Sequence, residues 1–256
     1  MTNTETELLR LLPPVLRARD FFLYLEGGKR LTDLWLSGGK AILGHKPAKV
    51  LRELKNSAER GLFAAFPHPL EKRFFKSMGE LFPGKAFRLY TDRASLFWAL
   101  EESGEKEVQL WRPFLEGQNN EAHVLLPVLP WPLGPEVLVL EKNHDAFFPA
   151  GDLISPVLLA PAARALYDLI KIINEPKWPK YSKIEKALAE SPWQRRGIYL
   201  TVDQNMEREK YKALFLSFLE GGFLIPSSPA EPVILPPSMS PGEESKLAEL
   251  ISLSCQ

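Results

Sequence analysis

Proline sets the strongest constraint on what this chain can fold into: 23 of its 256 residues are proline, where ~5% is typical. The prolines stand at the edges of apolar runs. Each fixes φ and removes a backbone donor, so each tends to open or close an element. A chain punctuated this way builds many short elements joined by stiff turns.

Reading between the prolines gives an order of elements. A short helix is expected around Glu7 to Arg17, cut by Pro13 and Pro14. Phe21 to Leu36 read as strands turning at Glu26-Gly27-Gly28-Lys29. A helix starts at Pro47, with Val50, Leu51, Leu54 and Ala58 at helical spacing and Gly61 as its stop. A second runs from Pro69, and Pro83-Gly84 ends it. A strand over Ala86 to Tyr90 precedes a helix carrying Phe97, Trp98 and Leu100. Strands are expected at Glu107 to Trp111, His123 to Leu129 and Glu136 to Leu140. Helices follow from Pro156 to about Ile173 and from Ser182 to Ala189. A strand at Gly197 to Val202, a helix from about Glu207 to Leu219 and short strands at Phe223 to Ile225 and Val233 to Leu235 come next. In the last helix Ser240 can cap, with Glu243 three residues on. Strands interleaved with helices mean α/β, with part of the sheet parallel.

Composition narrows the functional classes. Lys and Arg number 32 and Asp and Glu 32, so no basic surplus exists to release counterions from nucleic acid or an anionic membrane. Neither partner is expected. Near-zero net charge favours self-association. The one cysteine, Cys255, cannot form a disulfide within the chain, which fits a reducing compartment. The start, MTNTETELLRLL, lacks the basic and apolar regions of a signal peptide. The most apolar tract, Val124 to Leu140, contains four prolines and cannot span a membrane. A cytoplasmic protein is expected.

Several stretches, taken in order, resemble one family. The run YLEGGKRLTDLWLSGGKAILGHKPAKV places Gly28, Leu31 and Asp33 on a hairpin motif and Gly44, His45 and Pro47 on the element after it. LEKRFFKSMGELFPG places Glu71, Leu81, Pro83 and Gly84 on a helix motif. SPVLLAPAARALYDL, at Ser155 to Leu169, resembles a helix leading into a small domain. RRGIYLTVD and LEGGFLIPSSPAEPVILPPSMSPGE resemble the small domain itself. The family is the class III aminotransferases, fold-type-I enzymes that use pyridoxal phosphate (PLP). The resemblance implies an α/β, PLP-dependent transferase-like fold with a truncated large domain and a small C-terminal α+β domain. Residues 1–45 would pack with the small domain, 46–170 would form the reduced large domain and 171–256 the small domain.

Where the family's phosphate-binding helix begins, this chain reads Thr91-Asp92-Arg93-Ala94-Ser95. Thr91, Asp92 and Arg93 are therefore the candidate cofactor-binding residues of a degenerate phosphate cup. Asp92 replaces the glycine that lets backbone N–H groups approach the phosphate, and it also suits an N-cap. Arg93 could offset its charge. The strand ending in Asp-Glu, whose Asp pairs with the pyridine nitrogen, is absent, and so is the segment carrying the Schiff-base lysine. Between Leu100 and Lys171 the only lysines are Lys106 and Lys142. Lys142 follows an apolar strand, where α/β proteins place chemistry, and is the one candidate nucleophile. No metal site is expected, since the four histidines show no ligand spacing. The expectation is an aminotransferase-like protein that has lost PLP chemistry and binds no cofactor. It would act as a non-catalytic subunit or binding protein, as a homodimer or paired with an aminotransferase-like partner. The alternatives are a PLP enzyme rebuilt around Lys142 and Arg93, and a small-molecule binding protein using an inter-domain cleft.

Overall fold

The computed structural model describes residues 7–118, 122–176 and 180–253, so Cys255 lies outside the described residues. The chain divides into two compact units. One comprises residues 46–113 and 117–175, the other residues 1–45, 114–116 and 176–256.

The 46–113/117–175 unit holds helices α1 (Ala48–Glu59), α2 (Pro69–Leu81), α3 (Arg93–Ser103) and α4 (Pro156–Asn174), with strands β4 (Ala86–Tyr90), β5 (Val108–Trp111), β6 (Val124–Pro127) and β7 (Glu136–Leu140). Its sheet runs β4-β7-β6-β5. β4 and β7 are antiparallel, from Ala86 opposite Leu140 to Tyr90 opposite Glu136. β6 and β7 are antiparallel and β5 and β6 parallel. β7 reads EVLVL because it lies inside the sheet and is covered on both faces; Val137 through Leu140 are all buried. α4 starts on Pro156, whose missing N–H is no loss at a first helical position, and packs along both α1 and α2.

Asp92 and Gly104 fix the ends of α3. Asp92 caps its start through a 2.9 Å hydrogen bond from Ser95 N, and Gly104 at φ 70° ends it in the left-handed region. Its inward face, Leu96, Ala99 and Leu100, packs with Tyr90, Val124, Leu138, Leu140 and Phe148. Its other face, with Ala94, Phe97, Trp98, Glu101 and Glu102, is exposed.

The second unit pairs β1 (Val15–Arg19), β2 (Phe22–Leu25), β3 (Arg30–Asp33) and β10 (Phe223–Leu224) in that order, and β11 (Val233–Ile234), β9 (Tyr199–Thr201) and β8 (Gln194–Arg196) in another. Helices α5 (Ser182–Leu188), α6 (Arg208–Glu220) and α7 (Pro241–Leu253) accompany them. One core joins Leu23, Leu31, Leu34, Ile184, Phe215, Phe218, Phe223, Leu235 and Ile251. α7 opens with a complete capping box: Glu243 N donates to Ser240 Oγ (3.2 Å) and Ser240 N to Glu243 Oε2 (2.9 Å). The other Glu243 oxygen accepts from Arg30 (2.9 Å) and Thr32 (3.3 Å), tying β3 to α7.

Two sequence expectations are corrected. The helix over Glu7 to Arg17 is only a turn at 7–9. Pro13 and Pro14 bar helical backbone before them, and Val15–Arg19 becomes β1, paired antiparallel with β2. The single strand from Gly197 is a hairpin: Gln194–Arg196 form β8, and Gly197 at φ 65° opens the turn into β9. An added Cβ on Gly197 would stand 2.1 Å from the Phe114 carbonyl oxygen, so this position demands glycine. Among the described residues no helix is long and apolar enough to cross a membrane.

Candidate functional site

The motif residues Asp33 and His45 meet. Asp33 is 2% exposed. Its Oδ1 accepts from Trp35 N and Leu36 N, both at 2.9 Å, and its Oδ2 lies 2.8 Å from His45 Nε2. This carboxylate anchors a strained segment, with Leu36 at φ 50° and Ser37 at φ 54° before Gly38 and Gly39 at 68° and 98°. Trp35 Nε1 donates to Glu231 at 2.6 Å. Gly44, at φ 85°, lets the chain approach Asp20, whose carbonyl accepts from His45 N (2.8 Å). The hairpin motif is thus a self-satisfied corner whose polar groups face one another.

The turn from β4 into α3 is built differently. Thr91, Asp92 and Arg93 are all exposed. Besides Asp92 on Ser95 N, Asp152 places Oδ2 2.9 Å from Thr91 N. Asp152 is held there because its own N–H donates to Leu89 O (2.8 Å) along the outer edge of β4. Gly151 makes that approach possible, since an added Cβ would stand 2.6 Å from Leu89 O. Hydrogen bonds from the Ser95 backbone, the Ser95 side chain and the Ala94 backbone hold the Asp92 carboxyl below its ordinary pKa. One carboxylate therefore takes an N–H in the first turn of α3, and the other takes an N–H just before the helix.

Magnitudes decide what such a turn can bind. A helix N-terminus contributes roughly 0.3–1 kcal/mol towards an exposed anion. Each pair of like unit charges ~4 Å apart costs roughly 1 kcal/mol in bulk water and about 4 near a protein surface. A dianionic phosphate at this turn would meet two carboxylates with only Arg93 to offset them.

Lys142 is exposed in the turn that follows β7. Ala86 stands opposite Leu140 and Tyr90 opposite Glu136. Lys142 and Thr91 thus lie beyond opposite ends of this ladder, which spans ~14 Å at a strand's rise. The fold does not bring Lys142 to Thr91, Asp92 and Arg93. His144 stacks on His123, ring centroids 4.3 Å apart. No group of three or more potential metal ligands exists among the described residues. Arg195 is paired with Glu185 and Gly197 O, and Arg196 with Glu116 O, so neither extends freely into solvent.

Sequence reading missed a polar cluster under the same turn. Arg88 and Tyr90 share one face of β4, and Arg88 pairs with Asp145 at 2.9 Å. Arg88 Nε, Tyr90 Oη and Asp145 Oδ1 are buried without partners. Burial pushes the Tyr90 hydroxyl's pKa up; Asp152 and Asp145 add to this and Arg88 opposes it. The signal was an arginine at an inward position of an otherwise apolar strand.

Comparison with known proteins follows the same outline. An uncharacterized protein of Treponema pallidum is 31% identical over 179 residues, 67% of this chain; the chain spans 58% of that protein. One of Borreliella burgdorferi is 26% identical over 254 residues, covering 92% of this chain and 89% of its own. Glutamate-1-semialdehyde 2,1-aminomutase of Thermus thermophilus is 36% identical over 72 residues, 28% of this chain and 17% of the enzyme. No family model matches. Among solved structures, ornithine delta-aminotransferase of Plasmodium falciparum superposes with a TM-score of 0.69 at 12% identity, covering 99% of this chain and 98% of the other. Acetylornithine aminotransferase of Elizabethkingia anophelis gives 0.63 at 14%, covering 100% and 99%. The fold is that of the fold-type-I, PLP-dependent aminotransferases. At 256 residues it is a shortened form.

Proposed function

We propose that this aminotransferase-like chain does not carry out PLP chemistry and serves as a non-catalytic subunit. The observation that carries the reading is the pair of carboxylates at the β4–α3 turn: Asp92 on Ser95 N, in the first turn of α3, and Asp152 on Thr91 N, just before the helix. These residues do not fit the phosphate of PLP. The lysine that could be the nucleophile, Lys142, stands beyond the other end of the β4–β7 ladder. Cofactor anchoring, electronic tuning and the nucleophile would have to converge for such chemistry.

We read residues 46–170 as the reduced large domain and 171–256, with 1–45, as the small one. The division of contacts near residues 45/46 and 175/176 supports this. The zero net charge and single cysteine support a cytoplasmic protein that associates with itself or with an aminotransferase-like partner. The test is a titration of the purified protein with PLP, followed by absorbance in the visible and near ultraviolet, then addition of amino donors. The reading expects no saturable change beyond what PLP and the same amino donors give without the protein. A saturable, protein-bound band that an amino donor bleaches would overturn it.

A further inference from the structure

A cavity of about 400 Å³ is walled by the N-terminal turn, the start of α6 and the segment after β10. Its lining residues all belong to one compact unit, that of residues 1–45, 114–116 and 176–256. Neither Asp33, His45 nor Thr91–Arg93 is among them. The volume is in the range that holds small molecules. The walls are largely apolar. Leu8 and Tyr211 join the unit's core, and Met206 packs against it. Leu11 lines the same cavity and is left 45% exposed. Tyr211 adds no free polar group, because its hydroxyl donates to Pro226 O at 2.7 Å.

The polar groups choose the ligand. Three charged side chains line the cavity. Arg208 is paired with Glu7, which leaves Lys212 as the uncompensated charge. Lys212 is exposed, and its ammonium pairs with no described residue. Ser227 is only 7% exposed, yet its hydroxyl makes no hydrogen bond to a described residue. Its neighbour Ser228 differs, since the Ser228 hydroxyl accepts from Ala230 N at 3.4 Å. Buried hydroxyls are ordinarily partnered, because leaving one unpaired is costly. A buried donor lacking an acceptor, a spare ammonium on a flexible stem and apolar walls describe one chemistry. An amine would meet Lys212 as a like charge, and a hydrocarbon would leave Ser227 unsatisfied. One spare positive charge matches a monoanion. We infer that this cavity binds a small amphipathic carboxylic acid. Its carboxylate accepts from Ser227 Oγ in the field of Lys212, and its apolar body lies against Leu8, Leu11 and Met206. The site goes beyond the proposed subunit role, and neither depends on the other.

The test is calorimetric titration of the full chain with octanoate, beside 1-octanol, octylammonium and acetate, at fixed pH and ionic strength. Octanoate should bind saturably at one site. 1-Octanol keeps the body without the charge and should bind severalfold more weakly, and octylammonium more weakly still. Acetate, which lacks the body, should give no saturable heat. Ser227→Ala should weaken octanoate by at least about tenfold, as for a hydrogen bond to a charged group. Lys212→Gln should weaken it roughly two- to fivefold, as for an exposed ion pair. Lys212→Glu, also at an exposed helix position, should reverse the order of octanoate and octylammonium. Circular dichroism verifies that each variant is folded, and the two Lys212 variants decide the matter if Ser227→Ala is not. Absence of saturable octanoate binding would overturn the inference. So would equal affinity for the three eight-carbon compounds, or an octanoate affinity that any folded variant leaves unchanged.

Discussion

The Asp33 corner and the β4–α3 turn both come from stretches that resemble aminotransferase motifs, yet they keep their polar groups in opposite ways. At Asp33 a nearly fully buried carboxylate satisfies two backbone N–H groups and a histidine, and it holds left-handed backbone at Leu36 and Ser37. At Thr91–Arg93 one carboxylate takes an N–H of the first turn of α3 and another an N–H just before it, at the surface, above a cluster with three buried, unpartnered atoms. The first arrangement stabilises a fold. The second places the chain's own carboxylates where an anion would approach the helix start.

Substitution at the corner should have the largest effect. Asp33→Ala leaves Trp35 N, Leu36 N and His45 without an acceptor in a buried site. Breaking such a network costs roughly 3–5 kcal/mol, measurable as a shift in the chemical denaturation midpoint. A change under about 1 kcal/mol would mean that solvent or Glu231 replaces Asp33, and the contrast would dissolve. Gly44→Ala should come next. It forces a side chain into positive φ, at about 1–2 kcal/mol, and also places a Cβ 3.1 Å from Asp20 O.

The turn should respond less. Asp92→Ala removes the N-cap and should lower the denaturation midpoint slightly, whereas Asp92→Gly should lower it much less, because glycine is itself tolerated at a cap. Equal losses would mean that Asp92 does more than cap. The smallest effect is expected from pH. Burial would raise the pKa of Glu243, but the Ser240 N–H and hydroxyl, Arg30 and Thr32 outweigh it and hold the carboxyl below its ordinary value. Its contribution is therefore present above the unfolded-state pKa and is lost as pH falls through the folded one. Glu243→Gln should therefore lower stability slightly near neutrality and flatten the acid side of the profile, the two proteins converging as pH falls through the folded-state pKa.

Local rules made much of this legible in the sequence. β7 stands out because an apolar, β-branched run is enclosed by Pro135 and Glu141. The α7 capping box and the Asp92 cap are readable because both partners lie within three residues. The start of the chain misled, because Leu8, Leu9, Leu11 and Leu12 carry helical spacing while Pro13 and Pro14 decide the backbone. The decisive contact at the site was not legible. Asp152 reaches Thr91 from 61 residues away, and only the fold places Gly151 against the edge of β4. The Arg88–Asp145 pair under the turn is likewise a product of tertiary packing.

The most direct test of the central claim is borohydride reduction of the protein after incubation with PLP, followed by peptide mapping. If carboxylates fill the α3 turn and no lysine faces it, no single lysine acquires a reduced pyridoxyl group in stoichiometric yield, and competing phosphate leaves the scattered low-level labelling unchanged. Stoichiometric labelling of one lysine, Lys142 above all, suppressed by phosphate and abolished by Arg93→Ala, would contradict the account.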